Sequence, residues 1–312
     1  MTDPTVTHPT ATEPVVDTAR VPTLDALARP SGTLAMVAMD QRDSLTTMFD
    51  AAGAGRVPDA TLRAFKHEVA RALGPIASGF LIDRHLAFDD VRSTLPSSTC
   101  LILAADDLVQ DPGGPVEDTD LDEVVLSPDT DLAGVDALKL LVIWRRDARR
   151  AARVRLVERF VTEARARGVL SVLEPVVRPT ARELDDGTWD QEVAIREAAA
   201  ELSPLGASLY KVQVPLGGRG EPDEQAAASR ALDAVITTPW VVLSQGVALA
   251  DFAGAVTAAC RAGASGFLAG RALWSDVVGA PDVPTALREH SVPRLERLGA
   301  IVDAEARPWR QA

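Results

Sequence analysis

Eight short apolar runs, separated by longer stretches with helical spacing, constrain the fold of this chain more than any other feature. The runs are rich in Val, Ile and Leu and show little polar alternation. This pattern is typical of strands buried on both faces, as in a parallel sheet covered by helices. The predicted strands are Leu34–Met39, Gly79–Ile82, Cys100–Ala105, Leu138–Trp144, Ser171–Val177, Leu209–Val214, Trp240–Ser244 and Gly266–Ala269.

The segments between these runs carry helix signals. Pro58–Leu73 begins with proline and stops before Gly74, and Ala148–Arg167 stops before Gly168. Both fit the residue preferences at helix ends. The stretch from Asp106 to Val135 is acidic and marked by Gly and Pro, so only a short helix is expected there. Further helices are predicted over Gln191–Leu202, Asp223–Ile236, Leu249–Ala262 and Pro284–Ala304.

The order of these elements predicts a closed barrel. Alternating strands and helices imply right-handed parallel crossovers, and eight units in about 270 residues fit a (β/α)8 TIM barrel. We therefore expect a single α/β domain over residues 21–312. An open doubly wound sheet is the main competitor. Against it, Met39-Asp40-Gln41-Arg42 follows the first run where a dinucleotide-binding sheet would carry a glycine-rich turn.

Composition excludes several classes of partner. The net charge is −13 and the pI about 4.8, which argues against binding to nucleic acid or an anionic membrane. Residues 1–20 are rich in Thr, Pro and Asp, without the basic start and apolar run of a signal peptide, and are expected to be a disordered tail. No later segment is apolar enough to span a bilayer, so we expect a cytoplasmic protein.

Cysteine and histidine usage gives no sign of a disulfide or a metal. Cys100 and Cys260 stand alone in apolar surroundings and are expected to be buried, reduced thiols. The histidines have no second His, Cys or carboxylate at a recognised ligand spacing. We therefore expect no metal and no cofactor. The four histidines are His8, His67, His85 and His290.

Lysine is scarce in this chain. Of 32 Lys and Arg residues only three are lysines: Lys66, Lys139 and Lys211. Lys66 lies on the first long helix and is interpreted as a solvated surface residue. Lys139 and Lys211 lie inside the fourth and sixth runs, where a charge is costly unless it is paired or functional. Unlike guanidinium, an amine can lose its proton and attack a carbonyl carbon, and a second cation nearby favours that. We expect these two side chains to face each other inside the barrel.

Two carboxylates follow strands near these lysines. Glu174 lies near the end of the fifth run, between the two lysine strands, where burial and the lysines would act on its pKa in opposite directions. A structural salt bridge between Lys139 and Glu174 is the alternative, and both roles can coexist. Asp40 directly follows the first strand, where barrel enzymes place catalytic groups. A helix N-cap or a structural ion pair is its alternative.

The ends of the last two strands predict an anion site. Loops after strands seven and eight of such barrels frequently bind phosphate. Ser244 and Gly246 follow the seventh run, and Gly270 and Arg271 follow the eighth. Ordinary tight turns are the alternative at the glycines. The segment Leu216-Gly217-Gly218-Arg219-Gly220 after the sixth run is a candidate lid or a plain surface loop.

Several strings resemble the class I aldolases of the tagatose-1,6-bisphosphate aldolase family, and within it the sulfofructose-1-phosphate (6-deoxy-6-sulfofructose-1-phosphate) aldolase branch. The likeness runs from about Leu24 to Ala304. The strings are Ala35–Arg42, Ala137–Arg145, Glu174–Pro179, Leu209–Val212, Pro239–Ser244 and Gly263–Ala272.

The resemblance implies a metal-free Schiff-base aldolase and assigns roles to several residues. It implies cleavage of sulfofructose 1-phosphate to dihydroxyacetone phosphate and sulfolactaldehyde, with a sugar phosphate as the partner, and we expect a homo-oligomer. The Schiff-base lysine would be Lys211, the acid/base Glu174 and the second lysine Lys139, with Ser244 and Arg271 on phosphate. Candidate ligands for the sulfonate are Gln41, Arg42, Arg145 and Arg178.

Two positions depart from the family pattern, and three alternatives stay open. Gln213 stands where a glutamate commonly follows Lys-Val, and Gln245 where a small residue is usual between Ser and Gly. The substrate could instead be tagatose 1,6-bisphosphate or another ketose 1-phosphate. A non-catalytic sugar-phosphate sensor and a metal-dependent aldolase are the other two.

Overall fold

The computed structural model describes residues 22–312; the N-terminal segment for which a disordered tail was expected lies outside them. Eight parallel strands close into a barrel in the order β1-β10-β9-β8-β7-β6-β3-β2, and β4 pairs antiparallel with β5 in a separate hairpin. The strands are β1 (Leu34–Met39), β2 (Gly79–Ile82), β3 (Cys100–Ala104), β4 (Asp106–Val109), β5 (Asp118–Leu121), β6 (Ala137–Trp144), β7 (Leu170–Val177), β8 (Leu209–Gln213), β9 (Trp240–Leu243) and β10 (Gly266–Ala269).

The predicted (β/α)8 barrel is confirmed. Each of the eight apolar runs coincides with one barrel strand to within one or two residues at its ends. The barrel closes through β1, which pairs with β2 at Met36 and Gly79 and with β10 at Val37 and Ala269. An open sheet would leave β1 or β10 with a free edge, so the doubly wound alternative is wrong.

Helices connect the barrel strands. The segment predicted as one helix over Pro284–Ala304 consists of α11, a π-helical stretch Leu287–Ser291, and α12. Pro293 lacks a backbone N–H and lies where the wider stretch meets the last helix, so an uninterrupted hydrogen-bond ladder is not possible there. The helices are α1 (Asp43–Phe49), α2 (Asp59–Leu73), α3 (Phe88–Thr94), α4 (Glu123–Leu126), α5 (Arg150–Ala166), α6 (Ala181–Asp185), α7 (Gln191–Leu202), α8 (Pro222–Asp233), α9 (Phe252–Ala262), α10 (Arg271–Trp274), α11 (Val283–Ala286) and α12 (Val292–Glu305).

Strand alternation divides the core into two layers. Side chains that point outward from the strands pack against the helices, and those that point inward fill the amino-terminal half of the barrel. Leu24 and Leu27, on a short 3-10 turn, close that end. The inward apolar layer includes Leu34, Met36, Leu81, Ile102, Ala137, Leu170, Val172, Leu209, Val241 and Leu268. The inward-pointing charged side chains Lys139, Glu174 and Lys211 therefore lie in the carboxyl-terminal half of the barrel.

Both cysteines are buried and free. Burial raises the pKa of the Cys100 and Cys260 thiols to about 12, so both stay protonated at neutral pH. Across residues 22–312, every helix is either too short or too polar to span a bilayer.

The hairpin of β4 and β5 was not predicted. The sequence indicated only a short helix between Asp106 and Val135, and that helix is α4, whose first amides donate to the Asp122 carboxylate. The two strands are only four residues long and contain four aspartates, so they lack the apolar pattern that marks a buried strand. Their connection, residues 110–117, lies over the carboxyl-terminal mouth of the barrel.

The interpretation of Lys66 as a solvated surface residue is wrong. Its side chain is 0% exposed and forms an ion pair with Asp83, which directly follows β2. Burial lowers the pKa of Lys66, and the Asp83 carboxylate opposes that shift. The surrounding helix is polar enough to look solvated in sequence, whereas the partner is supplied by a strand end seventeen residues away.

Replacing Lys66 by methionine is expected to lower the free energy of unfolding by about 3–5 kcal/mol, because it leaves the Asp83 carboxylate buried and unpaired. Denaturant titration measures this. Arg71, on the same helix, is 61% exposed and pairs with Glu68 at 3.2 Å. Arg71→Met is the matched control and should cost less than about 1 kcal/mol. Equal losses in the two variants would contradict the importance of the buried pair.

Candidate active site

A cavity of about 290 Å³ opens at the carboxyl ends of the barrel strands. Its wall brings together most side chains that the sequence singled out, although they come from widely separated segments. Gly246 and Arg145 are not part of the wall. The predicted residues in the wall are Asp40, Gln41, Arg42, Lys139, Glu174, Arg178, Lys211, Ser244, Gly270 and Arg271.

Strand alternation explains why both lysines point into the barrel. On β6, Lys139 is two residues from the inward Ala137; on β8, Lys211 is two residues from the inward Leu209. Both lysines therefore lie one layer above the apolar filling, on the side where the cavity opens. Their side chains are only 2% and 4% exposed.

Glu174 stands between the two lysines. On β7, its Oε1 atom lies 2.9 Å from the Lys211 Nζ atom, and its Oε2 atom lies 3.0 Å from the Lys139 Nζ atom. The glutamate side chain is 8% exposed. One carboxylate thus contacts both amines, and the salt bridge considered between Lys139 and Glu174 is present together with the contact to Lys211.

Lys139 is surrounded by three carboxylates. Besides Glu174, the Asp40 Oδ2 atom lies 2.8 Å and the Asp106 Oδ2 atom 3.0 Å from its Nζ atom. Burial alone would lower the pKa of Lys139, but Asp106, Asp40 and Glu174 hold it well above its ordinary value. Lys139 is therefore a fixed ammonium. Lys211, in contrast, has one carboxylate, Glu174, within 4.0 Å among residues 22–312.

Asp40 belongs to this ion cluster and not to a helix cap. Helix α1 begins at Asp43 after Arg42, and no side chain caps it. Burial would raise the pKa of Asp40, but Lys139 and Lys211 together hold it well below its usual range. Asp40 is thus ionised at neutral pH, with its charge directed at both amines.

Asp106 is a member of the cluster that the sequence analysis missed. Its Oδ2 atom accepts hydrogen bonds from the Lys139 ammonium and from the Leu141 backbone N–H at 3.1 Å, and its Oδ1 atom accepts from Arg42 Nη2 at 3.0 Å. An available signal was its place directly after the third apolar run, as Asp40 follows the first. It was assigned instead to an irregular acidic segment.

The ends of β9 and β10 meet at Ser244 and Gly270. The Gly270 backbone N–H donates to the Ser244 Oγ atom at 3.4 Å. A Cβ atom at Gly270 would stand 2.6 Å from the Ala38 carbonyl oxygen, so the approach of β10 to β1 requires glycine. Gly246 adopts a φ of +80° and has no atom within 4 Å of a built Cβ, which makes it a turn residue.

Two guanidinium groups in the wall form no ion pair with any of the residues that the structure describes. Arg271 begins α10, and burial lowers its pKa, opposed by Glu174 and Asp40 and reinforced by Arg178. No ion pair to Arg271 or Arg178 is formed within residues 22–312, and the Arg178 Nε atom is buried without a hydrogen-bond partner there. Two unpaired cations in one cavity favour an anionic ligand.

Of the remaining candidates, Arg145 and Gln213 are held by protein groups, whereas Gln41 has an oxygen without a partner among the described residues. Arg145 pairs with Glu117 of the hairpin connection and donates to the Pro179 carbonyl oxygen at 3.3 Å, which keeps it out of the wall. The Gln41 Oε1 atom is buried without a partner among the described residues. The Gln213 Oε1 atom accepts from the Val177 backbone N–H at 2.8 Å and so ties β8 to β7.

The loop after β8 is anchored beside the barrel. Its Leu216 residue has a φ of +56°, uncommon for a side chain with a Cβ atom, and its N–H donates to the Glu192 carboxylate at 2.8 Å. Burial raises the pKa of Glu192, and the Leu216 amide opposes that shift. The segment is not part of the cavity wall, so its role as a lid stays a prediction.

The closed parallel barrel and the ionised cluster at the carboxyl ends of its strands define a (β/α)8-barrel enzyme. The model of the DeoC/LacD family aldolases matches residues 34–276, and the chain belongs to this family. It is therefore an aldehyde-lyase.

Curated relatives include the tagatose 1,6-diphosphate aldolases of Listeria monocytogenes serotype 4a and Listeria innocua serovar 6a. Each is 26% identical over 314 residues, which cover 92% of this chain and 92% of the relative. Among solved structures, the fructose-bisphosphate aldolase of Plasmodium falciparum, in a complex with TRAP and a small-molecule inhibitor, superposes with a TM-score of 0.67. It is 14% identical and the match covers 91% of this chain and 95% of that chain, which shows a shared fold.

Proposed function

We propose that this chain is a class I aldolase that cleaves a ketose 1-phosphate through a Schiff base on Lys211. The observation that carries the proposal is a buried amine 2.9 Å from a carboxylate in an open, cation-rich cavity. Lys211 is the better nucleophile of the two amines. The three carboxylates around Lys139 keep that amine protonated, whereas Lys211 has one.

The proposed reaction begins with attack of the neutral Lys211 amine on the C2 carbonyl carbon. Glu174 delivers and removes the protons as the carbinolamine loses water and becomes an iminium ion. The iminium accepts the electron pair of the C3–C4 bond, while Glu174 takes the C4 hydroxyl proton and the aldehyde departs. Protonation of the enamine at C3 and hydrolysis then release dihydroxyacetone phosphate and the free amine.

Lys139 and Asp40 support this chemistry without bonding covalently to the sugar. The fixed ammonium of Lys139 lies 3.0 Å from Glu174 and holds that carboxylate between the two amines, where it can exchange protons with the reacting sugar. The ionised Asp40 can accept hydrogen bonds from sugar hydroxyls at the cavity wall.

The substrate is proposed to carry an anion at each end. Ser244, Gly270 and Arg271 would hold the C1 phosphate, as the loops after the last two barrel strands commonly do. Arg178, Gln41 and Arg42 are the proposed ligands of the second anion. Arg145, which pairs with Glu117 outside the wall, would act only by holding the hairpin connection.

Charge balance favours a sulfonate as the second anion. The cations in the wall outnumber the carboxylates in and behind it by one: Arg42, Lys139, Arg178, Lys211 and Arg271 face Asp40, Asp43, Asp106 and Glu174. A C1 phosphate of about −1.5 to −2 already exceeds that single positive charge, so a second anion of low charge is favoured. A sulfonate then adds one negative charge and a second phosphate nearly two. The proposed substrate is 6-deoxy-6-sulfofructose 1-phosphate, which would yield sulfolactaldehyde.

Tagatose 1,6-bisphosphate is the second candidate, favoured by the names of the Listeria relatives at 26% identity. Parallel assays with both sugars in EDTA, with products identified by mass spectrometry, separate the candidates. The sulfonated sugar should give the higher kcat/KM. A higher value for the bisphosphate would move the assignment to the second candidate. Tight binding without turnover of either sugar, or activity lost in EDTA, would refute the class I mechanism.

The two unpaired arginines are expected to respond differently to substrate structure. Arg271→Met should raise KM about 10-fold to 100-fold for every ketose 1-phosphate, because a hydrogen-bonded charge contributes about 1.5–3 kcal/mol. Arg178→Met should raise KM similarly for sulfofructose 1-phosphate and leave it unchanged for fructose 1-phosphate, which lacks the second anion. Steady-state kinetics with both sugars measure this. Equal effects of Arg178→Met on the two sugars would refute the assignment.

A further inference from the structure

We infer that Asp106 is a positioning residue, which fixes the Lys139 ammonium in the catalytic cluster and joins it to the hairpin that closes the cavity mouth. This inference rests on the proposed function. Asp106 is the first residue of β4, its side chain is 2% exposed, and it lies behind the cavity wall.

Every acceptor of this residue is occupied by a group of the site. The Oδ2 atom accepts from Lys139 at 3.0 Å and from the Leu141 N–H at 3.1 Å; the Oδ1 atom and the backbone carbonyl oxygen both accept from Arg42 Nη2 at 3.0 Å. Three parts of the fold are thereby held at one carboxylate: the start of α1, the middle of β6 and the start of β4. A buried carboxylate with such partners is costly to replace.

The contacts place Asp106 in a continuous series of alternating charges. Arg42 contacts Asp106, Asp106 contacts Lys139, and Lys139 contacts Glu174, which contacts Lys211. The Lys139 ammonium is thus held between Asp106 on β4 and Glu174 on β7, and Asp40 is its third partner. Removing one of the three carboxylates would let the ammonium shift toward the other two and change its distance to the reacting sugar.

Asp106 also links the cluster to the cavity mouth. It pairs with Leu121 across the hairpin, and the connection that follows β4 supplies Gln110, Pro115 and Val116 to the wall. Through Arg42, the same carboxylate orients a guanidinium that faces the cavity. Loss of Asp106 should therefore affect both the chemical step and the binding of the second anion.

The test is Asp106→Asn, which keeps the shape of the side chain and removes its charge. We expect kcat to fall about 10-fold to 100-fold, the effect of losing one charged hydrogen bond. KM should rise more for sulfofructose 1-phosphate than for fructose 1-phosphate. The basic limb of the kcat profile should also move to lower pH. Lys139, facing Asp40, Asp106 and Glu174, loses a group that raises its pKa, and so deprotonates earlier.

Asp107→Asn is the matched control, because Asp107 is the exposed neighbour on the same strand and is absent from the cavity wall. A merely structural role would reduce the yield of folded enzyme in Asp106→Asn without moving the basic limb. A kcat and a limb identical to those of Asp107→Asn would overturn the inference.

Asp106→Glu keeps the test decisive if the asparagine variant does not fold. It retains the charge but moves the carboxylate, so the basic limb should stay in place while kcat falls; a wild-type kcat would overturn the inference. Borohydride reduction of the wild-type enzyme with substrate separates the two proposals. Failure to trap an adduct on Lys211 defeats the proposed function itself, whereas a wild-type adduct with an unaltered Asp106→Asn variant defeats only the role of Asp106.

Discussion

Substituting arginine for Lys211 is expected to lower kcat for aldol cleavage by about 10,000-fold or more, because a guanidinium stays charged and cannot form an imine. The variant keeps a cation next to Glu174, so the ion pair that the buried carboxylate needs is preserved and the barrel should fold. Initial rates with sulfofructose 1-phosphate measure the loss, and circular dichroism checks the fold. Turnover near the wild-type level would refute covalent catalysis at this position.

The scarcity of lysine makes the adduct easy to locate. Borohydride reduction with substrate should block tryptic cleavage at Lys211 and produce a peptide of residues 197–219, whereas an adduct on Lys139 would produce residues 93–145. Arg182→Lys is the matched control, because residue 182 is 90% exposed and places an amine outside the cavity. No adduct should form there. A peptide modified at Lys139 in place of Lys211 would exchange the roles of the two amines.

The barrel could be predicted because its strands are buried on both faces. Burial imposes apolar residues at successive positions, and the eight runs from Leu34–Met39 to Gly266–Ala269 carry that mark locally. The hairpin of β4 and β5 could not be predicted because its stability depends on groups outside it. Arg42 contacts Asp106, and Arg153 lies near Asp118, so the stabilising partners are distant in sequence.

The central part of the site could also be predicted, for a chemical reason. Because this chain uses arginine as its general cation, a lysine inside a strand indicates a position that needs an amine. Strand alternation then brings Lys139 and Lys211 into the interior of the barrel. The same reasoning failed at Lys66, because a helix sequence does not show that a carboxylate after β2 will cover one of its polar positions. The scarcity of lysine thus indicates that each lysine has a special environment, but it does not distinguish a structural ion pair from an active site.

Side-chain direction limited the prediction at the rim of the cavity. Arg145 follows β6 and was a candidate anion ligand. It pairs instead with Glu117, on a connection that the sequence did not predict, and lies outside the cavity wall. Arg178 follows β7 in the same way and has no ion-pair partner among residues 22–312, so it remains in the wall. Both residues are arginines that directly follow a barrel strand, so the sequence does not distinguish them. Only the position of an acidic side chain does.

Glu174→Gln is expected to lower kcat by about 100-fold to 10,000-fold, the usual contribution of general acid–base catalysis, while KM changes little. The amide has nearly the same shape but cannot take the C4 hydroxyl proton, and it removes the carboxylate that contacts both Lys211 and Lys139. Single-turnover measurements of imine formation and of cleavage should both slow, because the same group serves both steps. Glu192→Gln is the matched control: Glu192 accepts one amide hydrogen bond beside β8, which glutamine can also accept, so kcat should stay near the wild-type value.

Chemical rescue distinguishes proton transfer from ion pairing at Glu174. In Glu174→Ala, the cavity of about 290 Å³ gains room for a small carboxylate such as formate. If the residue transfers protons, cleavage should return in proportion to formate concentration, and small carboxylates of different pKa should rescue to different extents. Chloride at the same ionic strength restores a negative charge near the amines without a base. Equal rescue by chloride and formate would show that Glu174 acts only as a counter-ion. Another group would then have to take the C4 hydroxyl proton, and Asp40 is an ionised candidate in the wall.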